Sequence, residues 1–471
     1  MKIKLILAGI LLIGLLLRSY NLSGESLSVD EGVSVWLAQA GQIHILENRA
    51  VNFHTPLYFI ILHYWVILFG ISEFSSRFLS VVLGFFALIM AFKLGSLIFD
   101  KETGILNSLF LGVSTFHIYH SQSVRMYSLL TLLTLLSFYF FIKILKKWDF
   151  ALLVGYLLSS VFLIYTHYSG FFVIFVQNIF LIFTRLLSKD SKFSFRKWFI
   201  LYFVLIILFI PWIRFVLSKI NLKIFIDELS RRQEYIFLWY FRLPVRSINT
   251  ITDSFFKWSS QTEVLLLIYL ISIFLAISYR YIKMVSLLLI WLFVPIALLF
   301  LLYSPARYQP QYSTVASLAF YLLAAKGITN IGNKSLKMIV IAVVIIFSCL
   351  GLIKYYTLPR NAKWKEAAAY IDTNAKPGEM LLFLNERSVH VFDYYSARSD
   401  LNKKLYSEDS VYFDTYASFW IISGKPRRFN KAALDLLNRN YKLISLKEYS
   451  GADVITQTLE ISLFCYKGDK V

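Results

Sequence analysis

The chain has 471 residues, of which 58% are hydrophobic and only 16% charged, with a mean hydropathy of +0.63, too apolar for an ordinary water-soluble enzyme. Its 10 Trp, 30 Tyr and 43 Phe exclude collagen-like and disordered chains, because so much aromatic surface must be buried in protein or lipid. The net charge of +20 lies in short basic blocks between long apolar runs, which is the pattern of loops between membrane spans and not of a nucleic-acid-binding face.

Taken in chain order, residues 1–17 place two lysines before an apolar stretch. No small-residue cleavage pattern follows, so this segment is expected to be an uncleaved first helix. Further stretches near the ~20 residues that cross a bilayer lie at 77–98, 104–119, 126–142, 150–167, 168–184, 198–213, 263–279, 284–303, 308–325 and 338–353. About eleven transmembrane helices are therefore predicted. Residues 57–71 are apolar but short and hold His63, so an interfacial helix is preferred there. With that segment not spanning, Lys2, Lys4, Lys101, Lys143, Lys146, Lys147, Arg185, Lys189, Lys192, Arg196, Lys197, Arg280, Lys283, Lys326, Lys334 and Lys337 share one side, which the positive-inside rule assigns to the cytoplasm.

The opposite, non-cytoplasmic side then receives a first loop (18–76), a second loop (214–262) and a tail (354–471). In the tail, 361–371 is expected to be helical, 376–378 a turn, 380–384 a strand and 431–438 a helix. The predicted architecture is a mainly α, polytopic membrane protein with interfacial helices in the first outer loop, and a small C-terminal α/β domain outside. Two cysteines, Cys349 and Cys465, make no disulfide framework.

The polar clusters of this chain all fall at the outer helix ends or in the outer loops. Asp30 and Glu31 in the first loop read either as a solvated pair at a helix start or as a general base just above the bilayer. His54 precedes a proline that can open the interfacial helix. Arg125 and Arg307 stand at outer helix starts, where an arginine either snorkels to headgroups or binds an anion such as phosphate. His167 lies in a short Tyr-rich turn. Ionisable groups gathered at one membrane face are costly and usually functional. No Walker loop, HExxH, CxxC or GxSxG appears, which removes support for a nucleotide-driven pump, a zincin or a serine hydrolase.

In order, these segments resemble the motifs of the membrane-embedded C-type glycosyltransferases, in the branch of the protein O-mannosyltransferases and the aminoarabinose transferases of lipid A. The Asp30-Glu31 pair resembles the family's acidic motif. His54-Thr55-Pro56-Leu57-Tyr58-Phe59 resembles its His-Pro-Pro-Leu-Tyr-Tyr stretch, and Ser121-Gln122-Ser123-Val124-Arg125-Met126-Tyr127 is similar to its Ser-Gln-Glu-Ala-Arg-Met-Tyr. Residues 165–170, Pro211-Trp212, Arg307-Tyr308 and Trp364 also have counterparts. The resemblance implies a transmembrane catalytic domain over 1–353 and direct, inverting transfer of one sugar from a polyprenyl-phosphate donor to a protein, glycan or lipid acceptor. It implies catalytic roles for Asp30 and Glu31, and contacts of Arg125 and Arg307 to the donor phosphate. His54, Tyr58, Gln122, Tyr127, His167 and Tyr308 would line the substrate pocket. Ser123 replaces the family's glutamate and Thr55 its first proline. No cofactor is implied with certainty; a divalent cation at carboxylates stays open, since hard ions need no His or Cys signature. The rival class is a multi-span transporter or flippase of lipid-linked sugar.

Overall fold

The structure is a computed structural model that describes residues 2–187, 195–220, 262–277, 281–302, 309–405, 418–423, 442–453 and 457–467. After α1 (Lys2–Ser19), the first loop folds into three helices, α2 (Val29–Ala40), α3 (Gln42–Val51) and α4 (Leu57–Phe69). The bundle continues with α5 (Glu73–Ile98), α6 (Lys101–Val113), α7 (Thr115–Ser121), α8 (Tyr127–Lys146), α9 (Phe150–Thr166), α10 (Gly170–Leu187) and α11 (Phe195–Lys219). It closes with α12 (Thr262–Ala276), α13 (Ile282–Leu302), a 3₁₀ turn at Pro310–Ser313, α14 (Thr314–Thr329) and α15 (Lys334–Thr357). Every segment expected to span therefore carries helix, and α5, α8, α11, α13 and α15 are long and apolar enough to cross a bilayer. Two boundaries differ from the sequence reading. The segment 104–119 breaks at Ser114, whose hydroxyl caps α7 and bonds the Tyr321 hydroxyl at 2.9 Å. The helix expected to stop at 213 runs on to Lys219, with Pro211 inside it.

Helix α4 has 13 residues, about 20 Å at 1.5 Å per residue, against a hydrocarbon core of about 30 Å. Trp65 Nε1 donates to the Ser75 carbonyl at 2.9 Å and the Tyr58 hydroxyl lies 3.1 Å from that of Ser80, so α4 is held at the first turns of α5. At the far end of the same helix, Lys146 Nζ reaches the Leu97 carbonyl at 3.1 Å and Lys326 pairs with Asp100 at 3.1 Å. The lysine-rich end and the end bearing α2 to α4 are thus opposite ends of the bundle.

The C-terminal domain begins with α16 (Trp364–Asn374), three residues later than predicted, followed by β1 (Met380–Phe383), α17 (Glu386–Tyr395), β2 (Asn402–Leu405), β3 (Ser418–Ser423), β4 (Lys442–Asp453) and β5 (Gln457–Lys467). The five strands form a mixed sheet in the order β2-β1-β3-β5-β4, with β1 parallel to both of its neighbours. Strand β1, Met-Leu-Leu-Phe, is buried on both faces, which explains its uninterrupted apolar run. The predicted helix at 431–438, and most of the 214–262 loop, fall outside the described residues.

The domain docks on α2 through α17. A Cβ placed on Gly32 would lie 2.6 Å from Val391 Cβ and 2.8 Å from its Cα, so only glycine admits this approach. The Trp36 and His390 rings stack at 3.9 Å, and the Tyr395 hydroxyl accepts from Leu27 N–H and donates to Glu73, both at 2.7 Å. This docking fixes the helix on which the first acidic residues stand.

Candidate active site

The site is built from the N-terminus of α2 outward. Ser28 caps α2 by accepting from Glu31 N–H, while the Glu31 carboxylate takes the Ser28 N–H at 2.8 Å, a capping box that sets the helix start. Successive helical residues are turned by about 100°, so Asp30 and Glu31 face different surroundings. Glu31 points inward and is 2% exposed. Arg77 Nε and Nη2 hold its two oxygens at 2.9 and 3.0 Å, and Val124 N–H adds a third bond at 3.0 Å. Arg77 also donates to the carbonyls of Leu22, Glu25 and Ser26, so all five of its N–H groups are used. Burial pushes the Glu31 carboxyl up, but Arg77 and the N–H bonds more than offset this and hold it below its ordinary range.

Asp30 points the other way, with its side chain 50% exposed. Its Oδ2 lies 3.8 Å from Arg125 Nη2, and its Oδ1 lies 3.6 Å from Arg387 Nη1, an arginine of α17. Arg125 is 14% exposed and is hydrogen-bonded to the Tyr127 hydroxyl. Tyr58 underlies it through Ser80, whose hydroxyl is 3.5 Å from the Arg125 carbonyl. Arg49, in α3, lies with its guanidinium carbon 4.6 Å from the Phe59 ring centre. Burial and the neighbouring Arg125 and Arg387 push its pKa down to about 9, partly opposed by Asp30. The Arg49 Nε and the Thr55 hydroxyl are buried and without a hydrogen-bond partner among the described residues.

Two histidines complete the rim. His54 N–H donates to the Arg49 carbonyl at 2.9 Å. Burial, with Arg125 and Arg49 nearby, pushes the His54 imidazole down to about 2. His167 caps α9, its Nδ1 2.7 Å from the Ser169 hydroxyl, and burial with Arg125 lowers it to about 4. Its ring lies 5.9 Å from that of Tyr127 and 6.4 Å from that of Tyr312. Asp30, His54, Tyr58, Arg125, Tyr127 and His167 are therefore gathered at one place. Arg307 and Tyr308 lie outside the described residues.

Gln122, expected in the substrate pocket, does something else. Its amide nitrogen donates to the carbonyls of Leu17, Arg18 and Tyr20, and its oxygen accepts from the Tyr355 hydroxyl at 2.8 Å and Arg360 at 2.6 Å. With that capacity used, it ties the end of α1 to the end of α15 instead of offering a polar group to a ligand. Glu31 is likewise committed to Arg77. Ser123, in the place of the family's glutamate, bonds the Tyr119 carbonyl at 2.7 Å. The sequence assigns no role to Arg49, Arg77 or Arg387. Arg49 sits in a polar stretch like any solvated turn, Arg77 looks like one more helix-end arginine, and Arg387 lies in the tail more than 350 residues from its carboxylate partner. Among the described residues no three His, Cys, Asp or Glu side chains are placed to hold a metal ion.

This bundle, with three short helices at one end and an α/β domain beside them, has the fold seen in solved structures of ArnT and of an archaeal oligosaccharyltransferase. Residues 53–215 match the model of the dolichyl-phosphate-mannose-protein mannosyltransferases. Among solved structures, ArnT from Cupriavidus metallidurans bound to undecaprenyl phosphate aligns over 97% of both chains, with a TM-score of 0.62 at 10% identity. The oligosaccharyltransferase of Archaeoglobus fulgidus, in complex with zinc and sulfate, aligns over 98% of this chain and 73% of its own at a TM-score of 0.57 and 12% identity. The same organism's AglB, with an inhibitory peptide and a dolichol-phosphate, covers 85% of this chain and 64% of its own at a TM-score of 0.54 and 12% identity. At these identities the likeness is one of fold. No curated protein sequence matches the chain.

Proposed function

We propose that the chain is a glycosyltransferase that moves one sugar from a polyprenyl-phosphate donor to an acceptor hydroxyl at the non-cytoplasmic face of the membrane, with inversion. The observation that carries this reading is one half-exposed carboxylate, Asp30, set among Arg125, Arg387 and Arg49 at one end of the bundle. Asp30 takes the proton of the acceptor hydroxyl as its oxygen attacks the anomeric carbon. The bond from that carbon to the phosphate oxygen breaks, and the phosphate leaves with the electron pair. A phosphate needs no protonation to depart, so one carboxylate suffices where a glycosidase requires two. Arg125, steadied by Tyr127, and the buried donors of Arg49 and Thr55 receive the phosphate; Arg307 is expected to join them. Glu31 acts only through position, by anchoring the helix that presents Asp30.

A transporter of lipid-linked sugar would place its ionisable groups near the bilayer midplane, commonly on broken helices. Here the cluster lies at one end, against the extramembrane domain. The acceptor hydroxyl belongs to a protein, a glycan or a lipid. The test is transfer of labelled sugar from a set of polyprenyl-phosphate sugars by purified protein in lipid, with Asp30→Asn compared at equal folded amounts. Asp30-dependent release of polyprenyl phosphate supports the proposal, and lipid or sugar movement across the bilayer without transfer overturns it.

A further inference from the structure

The transfer just proposed changes the charge on two groups at once. The donor is a phosphodiester with one negative charge. The departing polyprenyl phosphate is a monoester whose second pKa is near 6, so it carries close to two at neutral pH. In the same step Asp30 gains a proton and becomes neutral. A site suited to this step needs cations that follow the negative charge from the carboxylate to the phosphate.

Among the described residues, Asp30 is bracketed by two arginines, one on each carboxylate oxygen, and they come from different domains. Arg125 comes from the bundle at 3.8 Å, and Arg387 from α17 of the C-terminal domain at 3.6 Å. Arg49 lies close enough to feel Arg125, Arg387 and Asp30. The other nearby acids are already committed, Glu31 to Arg77 and Glu25 to Arg360 at 3.2 Å. Three arginines therefore face one carboxylate. With Asp30 charged they hold an excess of two positive charges against the donor's single negative charge, and with Asp30 protonated an excess of three against the nearly two charges of the departing monoester. The buried Arg49 Nε and Thr55 hydroxyl have no hydrogen-bond partner among the described residues and are two further donors an anion could use.

Arg387 is also held loosely. Its side chain is 56% exposed, and an ion pair of this exposure is weak, so little holds it once Asp30 is neutralised. The backbone beneath it is not loose, because Gly32 against Val391 and Trp36 against His390 clamp α17 onto α2. Arg387 is an exposed cation on a fixed mount.

Resting on the glycosyl-transfer reading, we propose that Arg387 of the C-terminal domain is a catalytic residue, paired with Asp30 at rest and passed to the departing phosphate as Asp30 takes the acceptor's proton. The C-terminal domain then completes the active site, and the bundle alone lacks the cation that stabilises the second phosphate charge. Such a cation acts on the transition state and product more than on the bound donor, so its loss falls on kcat.

The experiment uses full-length protein in lipid nanodiscs and compares wild type, Arg387→Ala and Arg387→Lys. Donor kinetics are measured, together with binding of polyprenyl phosphate and of the polyprenyl-phosphate sugar at pH 8. Arg387→Ala is expected to lower kcat about 10- to 100-fold, with the donor KM changed by less than about 3-fold. It should weaken polyprenyl phosphate binding about 10-fold while leaving donor binding nearly as it was, and Arg387→Lys should restore much of both. A normal kcat in Arg387→Ala, or equal weakening of both lipids, overturns the proposal. If wild type transfers sugar from no donor, the glycosyl-transfer reading falls and this one with it. If wild type turns over and Arg387→Ala matches it, only the role of Arg387 falls.

Discussion

Asp30 and Glu31 are neighbours in sequence, both acidic and both paired with arginine, yet they belong to two physically different regions. Glu31 and Arg77 form a sealed floor: both side chains are 3% exposed, the contact is bidentate, and the surrounding carbonyls and N–H groups use every remaining bond. Asp30 with Arg125 and Arg387 forms an open mouth: Asp30 and Arg387 are half-exposed, the contacts are 3.6–3.8 Å and cations are in excess. In the floor each polar group of the pair is matched by a partner. Among the described residues the mouth is unmatched, and unmatched charge is what a substrate can change. Sealing has tied Glu31 to the fold, while Asp30 stays open to solvent, as the base proposed above must be.

Substitutions should separate the two regions. The largest expected effect is on turnover: Asp30→Asn should cut sugar transfer by roughly 10²- to 10⁴-fold, with the melting temperature of the detergent-solubilised protein little changed. The floor should behave in the opposite way. Glu31→Gln leaves Arg77 charged and buried, which costs about 3–5 kcal/mol, so folded yield and melting temperature should fall steeply. A double replacement of Glu31 and Arg77 by apolar residues of similar volume should recover much of that stability. Recovery of stability without recovery of activity would show that the floor positions Asp30 through the capping box.

A smaller effect tests the mount between the regions. Gly32→Val cannot be accommodated beside Val391, so α17 must shift away from α2, at about 1–3 kcal/mol by analogy with overpacked cores. Limited proteolysis should then cut the C-terminal domain more readily, and turnover should fall even with Asp30 intact. Unaltered proteolysis and turnover would show that the docking is unimportant to the site.

The same contrast explains what the sequence made legible. Apolar runs near 20 residues mark the helices because burial in lipid demands length, and the break at Ser114 was missed because a cap inside a continuous apolar run has no compositional mark. Asp30, His54, Arg125 and His167 were identifiable because ionisable groups at helix ends stand out against apolar spans, and the structure gathers them. Arg49 and Arg387 were not, because in polar segments an arginine is ordinary and its partner is set by tertiary approach. Gln122 and Glu31 were assigned chemistry because motif position does not distinguish a group facing a cavity from one facing its own backbone. Only hydrogen-bond saturation does.

The smallest expected effect is on pH, and it tests whether the rim histidines are chemical participants or neutral walls. The folded-state pKa of His54, pushed down to about 2 by burial and by Arg125 and Arg49, lies below its ordinary 6.5. Its imidazole should therefore be neutral throughout pH 5–8 and contribute no limb to the pH–rate profile, and His167, lowered to about 4, should behave likewise. Stability carries the opposite signature. Below pH 6.5 the unfolded chain binds a proton at this position and the folded chain does not, so stability present above that pH is lost as pH falls toward 2, at up to about 1.4 kcal/mol per unit. His54→Gln should remove this loss, so its melting temperature, compared with wild type at each pH, should gain between pH 6.5 and 4.5 while the pH–rate profile keeps its shape. If the substitution instead moves an activity limb near neutrality, His54 exchanges protons during turnover, and the arginine-rich mouth does not hold it neutral.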